Sequence, residues 1–352
     1  MRQPAHGGNL AWAAALAGCP PDAILDFSAS INPLGPPNSA IAAIKSQIGN
    51  LKHYPDPNYS ELRLALSHFH QLPSEWILPG NGSAELLTLI GRELAQLAAT
   101  ILITPAFGDY YRTLAAYNAN VLECPLSLVT GHWSLFLDKG QRTKDKGLLL
   151  NNPHNPTGKL FTRDSILPYL EQFAFVVVDE AFMDFVPPNE EQSLIPVVQE
   201  YPNLVVLRSL TKFYSLPGLR LGYAIAHPDC LAKWQLWRDP WPVNTLAAVA
   251  AIAALQDTEF QQQTWAWLPP ARNQLFQGLA EIPGLQPQAS AANFLLVESQ
   301  ESTSQLQQQL LKYHQILIRD CLSFKELGDR FFRVAVREES DNQRLLTALK
   351  ES

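Results

Sequence analysis

Five short apolar runs recur through the middle of the chain: TILIT (100–104), GLLLNN (147–152), FVVVDE (175–180), NLVVLRS (203–209) and LGYAIA (221–226). Their length and β-branched content mark strands buried on both faces. Between them, ELLTLIGRELAQLA (85–98) and RDSILPYLEQF (163–173) have helical spacing. The middle of the chain therefore reads as an α/β unit, a mainly parallel central sheet flanked by helices. Polar residues follow the strand ends, where open α/β sheets bind ligands. Beyond Asn244 the texture changes to Ala- and Gln-rich helices, then ANFLLVES (292–299), ILIRD (316–320) and FFRVAVR (331–337). These predict a smaller α+β unit with which the N-terminal residues pack. The expected division is an N-terminal arm over 1–45, a large domain over 46–243 and a small domain over 244–352.

Hydrophobic residues are 47% of the 352, so two units of this size can bury proper cores. A net charge of -7 gives no general affinity for nucleic acid or anionic membrane, so any anion site must be local. Cys19, Cys124, Cys230 and Cys321 lie far apart with no C-x-x-C pair. They suggest neither a zinc site nor a disulfide framework, and a reducing cytoplasm is the expected setting. MRQPAHGGN lacks the apolar core of a signal peptide, and the apolar run at 246–255 is too short to span a bilayer. That run predicts a buried Ala-rich helix.

SLTKFYSLPGLRLGY (209–223) places Lys212 among apolar and hydroxylic neighbours. A desolvated lysine loses its proton more readily and becomes a nucleophile toward carbonyls. Ser209 and Arg220 add a hydroxyl and a fixed cation that suit a phosphate. Alone, S-x-x-K is more simply a surface lysine on a turn. Asp179, at the end of FVVVD, could face a cationic nitrogen or simply cap a turn. In NNPHNPTG, Asn155 is a rigid amide donor between prolines, and in PGNGSAEL the amides of Gly82 and Ser83 open a helix able to hold an anion. Each motif is weak by itself; their order along the chain is specific.

In that order the motifs resemble the fold-type I pyridoxal-phosphate enzymes of the histidinol-phosphate aminotransferase branch, from about residue 20 to the last helix. The resemblance implies pyridoxal 5′-phosphate carried on Lys212, with Asp179 keeping the pyridine nitrogen protonated so that the ring acts as an electron sink. It further implies that Asn155 bonds the ring O3′, that Phe107 stacks on the ring, and that Gly82, Ser83, Ser209 and Arg220 hold the phosphate. Tyr54 would reach the cofactor phosphate of a neighbouring subunit, implying a homodimer with shared active sites. The branch usually has Tyr three residues after the Asp, where this chain has Phe182, so one hydrogen bond to O3′ is missing.

The N-terminal HGGN (6–9) and ILDFSASINPLGPP (24–37) look like the threonine-phosphate decarboxylases, which make the aminopropanol phosphate used in cobalamin assembly. For HGGN alone, a flexible arm with a stray histidine is the simpler reading. The likeness implies a small phosphorylated amino acid as substrate. His6, the Gly7 amide and Arg319 would meet its phosphate, and Arg333, helped by Asn155, its carboxylate. Arg337 could share either role, and Arg319 could instead pair with Asp320. Ser30 stands where those enzymes usually have an asparagine that touches the phosphate. Histidinol-phosphate aminotransferase activity with 2-oxoglutarate is the alternative. A cofactor-binding regulator is a third reading, opposed by the lack of a basic extension. No metal, nucleic-acid or membrane partner is expected.

Overall fold

A computed structural model describes residues 6–127 and 143–352, so the first five residues of the N-terminal stretch read above as lacking a leader lie outside them. Thirteen strands follow in chain order: β1 Leu25–Asp26, β2 Ile77–Asn81, β3 Ala99–Thr104, β4 Val121–Pro125, β5 Lys146–Asn151, β6 Phe175–Asp179, β7 Leu204–Ser209, β8 Leu221–Ala226, β9 Leu285–Pro287, β10 Phe294–Ser299, β11 Ile316–Leu317, β12 Arg319–Asp320 and β13 Phe331–Ala335. Seven of them form one sheet in the order β2-β8-β7-β6-β5-β3-β4.

From β7 through β4 the neighbours run parallel, but β8 is antiparallel to both β7 and β2. The expected mainly parallel sheet is thus a mixed one. The apolar runs could not announce the reversal, because a strand covered on both faces has the same composition in either direction. Alternate residues serve opposite faces: Val176 and Val178 join one core, Val177 the other. The helices Gly82–Leu94 and Gly108–Ala116 pack on the second face.

A second sheet, β12-β13-β10-β9, is antiparallel throughout. ILIRD, expected as one strand, divides in two. Ile316–Leu317 pairs in parallel with β1, and Arg319–Asp320 turns to pair with β13. The residues 246–255 form the expected helix, Thr245–Gln256, whose Ala247, Ala250, Ala251 and Ala254 are buried in the core. Asn32 ties the N-terminal segment to the lysine loop: its amide donates to the Lys212 carbonyl at 3.1 Å and its side chain to the Phe213 carbonyl at 2.9 Å. No described helix is long and apolar enough to cross a membrane.

Candidate active site

The carboxyl ends of the central strands open onto a cavity of about 230 Å³ whose far wall comes from β12 and β13 of the second sheet. Lys212 lies just past β7, half-buried in the cavity wall. Burial pushes its amine down to about 8, and the Arg333 and Arg220 guanidiniums add to the effect. Its neighbours Leu210, Phe213, Tyr214 and Leu216 are buried around it.

Asp179 ends β6 at 6% exposure, facing the same cavity. Its carboxyl is raised by burial, against which hydrogen bonds from Tyr110 and the Ala181 amide act. A carboxylate so placed fits a cationic partner within the cavity. The anion cradle is formed where β2 passes into the helix Gly82–Leu94. Gly82 has φ +72°, and a Cβ there would stand 2.6 Å from Arg220 Nη2, so only glycine allows the guanidinium to lie over the helix start. Arg220 itself is left-handed, φ 57°, at the end of a short 3₁₀ turn. Ser209 Oγ and Thr211 Oγ1 share a 2.8 Å hydrogen bond beside it. Donors at a helix start plus an arginine fork have the chemistry that suits a phosphate.

Both proline bonds flanking the Asn155 turn, Asn152–Pro153 and Asn155–Pro156, are cis. Asn155 Oδ1 accepts from Arg333 Nη1, and Arg333 Nη2 donates to the Ser28 carbonyl at 3.3 Å. Arg333 is fully buried over the Phe294 ring, and burial lowers its pKa to about 10. Its Nε, Ser30 Oγ and Asn151 Oδ1 are buried without a hydrogen-bond partner in the protein. Cavity-wall atoms left in this state fit a polar ligand. Arg319 donates to Ser323 Oγ at 2.7 Å and lies opposite Arg333 in the β12–β13 register. His6 reaches the rim, its ring 5.6 Å from Phe107 and its Nε2 3.9 Å from Asp109.

Ser83, Phe107, Asn155, Asp179, Ser209, Lys212, Arg220, His6, Gly7, Ser30, Arg319 and Arg333 therefore all line one cavity. Gly82 stands directly behind it, under Arg220. One expectation falls elsewhere. Arg337 is turned away, bonded to Asp341 at 2.8 Å and to the Asp26 carbonyl at 3.2 Å, because it lies beyond the end of β13, where the chain turns into the last helix. Tyr54 is outside this chain's cavity, 79% exposed and stacked on Trp241 at 4.5 Å. Phe182 lines the cavity, edge-on to Phe294. Sequence reasoning missed Tyr110, Thr211 and Ser323, all on the wall. Thr211 and Ser323 sit within two and four residues of named positions, a signal that proximity alone offered. Among the described residues no cluster of His, Cys, Asp and Glu is arranged to hold a metal.

The family model for aminotransferase class I and II matches residues 22–349. The chain is 40% identical to a threonine-phosphate decarboxylase of Salmonella typhimurium, over 98% of this chain and 96% of that protein. It is 33% identical to a histidinol-phosphate aminotransferase of Symbiobacterium thermophilum, over 91% and 88% respectively. Among solved structures, the histidinol-phosphate aminotransferase from Clostridium acetobutylicum gives a TM-score of 0.84 at 29% identity, covering 93% of this chain and 98% of its own.

Proposed function

Since the chain belongs to the class I and II aminotransferase family, we propose that it is a pyridoxal-phosphate enzyme acting on a small phosphorylated substrate, and specifically that it decarboxylates O-phospho-L-threonine. The buried amine of Lys212, the Asp179 carboxylate and the cradle at Gly82, Ser83, Ser209 and Arg220 fit the cofactor's aldehyde, ring nitrogen and phosphate in turn. When bound, the cofactor supplies an electron sink for a bond broken at the substrate α-carbon.

The observation that carries the reading is the pair Arg319 and Arg333, set opposite each other on β12 and β13 with both side chains in the cavity of Lys212. Two guanidiniums suit a substrate with two anionic groups. Arg333, braced by Asn155, is placed to hold the α-carboxylate. Arg319, with Ser323, His6 and the Gly7 amide, would hold the phosphate. Fixing both ends orients the α-carbon, and with it which bond is broken. Lys212, with an amine near 8, can deliver a proton to that carbon near neutral pH. Ser30 offers a shorter reach than the asparagine it replaces, so its contact with the phosphate runs through water.

Histidinol-phosphate transamination is the second reading. It is favoured by relatives of that name at about a third identity over most of the chain, and by the fold match at TM-score 0.84. The same arginine pair would then hold the two carboxylates of 2-oxoglutarate. The test is release of CO₂ from O-phospho-L-threonine, set against amino transfer from histidinol phosphate to 2-oxoglutarate. CO₂ at a rate exceeding transfer is the expected result; transfer without CO₂ selects the second reading. Tyr54, exposed and outside its own chain's cavity, is proposed to complete the phosphate cradle of a second copy in a homodimer.

A further inference from the structure

Tyr110 has no part in the reading above, yet it touches two of that site's groups. Its hydroxyl donates to Asp179 Oδ2 at 2.8 Å, while the Ala181 amide donates to Oδ1 at 3.0 Å. One donor on each oxygen fixes the plane of the carboxylate and leaves its remaining lone pairs for the cavity. The Tyr110 ring, 1% exposed, meets the Phe107 ring edge to face, at 5.6 Å and 86°. Phe107 is the side chain placed to stack on the cofactor. Burial, with Asp179 alongside, holds the phenol well above its ordinary pKa, so the hydroxyl stays a donor throughout the working range. Phe182, where relatives carry a hydroxyl, leaves the ring's opposite edge without that tuning, and Tyr110 supplies the described side-chain hydrogen bond to Asp179.

We propose that Tyr110 is a positioning residue for the cofactor ring: it aims the Asp179 carboxylate at the ring nitrogen and keeps that carboxylate ionised, while its ring braces Phe107. The inference rests on the pyridoxal-phosphate reading. A tyrosine that merely filled space would treat a ring nitrogen and a ring carbon alike, which separates the two roles.

The experiment uses the full chain stripped of cofactor. Dissociation constants are measured for pyridoxal phosphate and for its analogue with carbon in place of the ring nitrogen, on wild type and on Tyr110→Phe. Loss of a hydrogen bond to a charged group predicts pyridoxal phosphate held about 10- to 100-fold more weakly by the variant, with the analogue unchanged. In an Asp179→Asn background the same Tyr110 change is expected to make no further difference. Equal weakening toward both ligands, or toward neither, overturns the proposal. If the phenylalanine variant fails to fold, difluorotyrosine at position 110, which keeps the shape and makes the hydroxyl a stronger donor, replaces it: a changed affinity for pyridoxal phosphate with the analogue unchanged is expected, and an equal change toward both ligands, or toward neither, overturns the proposal. Wild-type protein that binds neither ligand refutes the cofactor reading itself; wild type that binds normally beside an indifferent variant refutes only the role of Tyr110.

Discussion

Burial, and then the Arg333 and Arg220 guanidiniums, pull the Lys212 amine from its ordinary value to about 8. The neutral, nucleophilic form therefore gains tenfold for each pH unit up to about 8 and levels off above it. Attachment of pyridoxal phosphate to stripped protein, followed by absorbance, is expected to track that curve, rising with pH and then flat. A midpoint near the ordinary lysine value would show that the cavity does not desolvate the amine. Lys212→Ala is expected to lower turnover by about a hundredfold or more and to abolish borohydride labelling at this position. Lysine, aspartate, asparagine and arginine were legible in the sequence because each stands in a short motif with a turn or strand end beside it. Tyr110 was not. In GDYYRTLAA it reads as an ordinary buried face of a helix, and only the fold brings it to a carboxylate on another strand. Arg337 misled for the opposite reason, since an arginine near the end of a buried strand looks functional until Asp341 of the next helix is seen to pair with it.

On the far side of β6 and β7 from the cavity, one residue along from Asp179 and Ser209, Arg208 clips the two strand ends together. It bonds Glu180 at 3.0 Å and also Asp184 and Glu191, with the guanidinium 2% exposed. Burial raises Glu180 to about 7 even beside the arginine. Arg208→Met leaves buried carboxylates without a cation and is expected to cost about 3–5 kcal/mol in urea unfolding. Sign follows from the raised carboxyl: without the arginine Glu180 is pushed up further and takes its proton sooner as pH falls, so the loss is expected to shrink as pH is lowered toward about 7, where the wild-type carboxyl is protonated as well. A loss that does not vary with pH would locate the effect in packing instead. The runs read as strands lie within a residue or two of observed ones because apolar residues and turns delimit them, whereas β2 and β4 of the same sheet, each holding a proline, were not read. Direction and partners were not legible, as the reversed β8 and the divided ILIRD show. Pairing is decided by residues distant in the chain, which local composition does not record.

For the molecule as a whole, the proposed homodimer makes a distinct prediction. Lys212→Ala and Tyr54→Ala damage different chains' contributions to one site, so hybrids formed by mixing the two inactive variants contain one intact site and one doubly damaged site. Mixing by unfolding and refolding is expected to restore about a quarter of wild-type activity, by simple chain statistics, whereas independent monomers would restore none. The division into an arm and two domains remains a proposal of the same kind, since one core cluster runs from Phe27 through Val178 to Val334 without a break. The cavity's two opposing walls belong to different sheets, with Asp179 and Lys212 on one side and Arg319 and Arg333 on the other. A doubly anionic substrate is then a strut tying those walls together. If the proposed loss of carbon dioxide takes place there, the remaining amine phosphate would grip only one of the two arginines, and departure of product would be built into the chemistry that makes it.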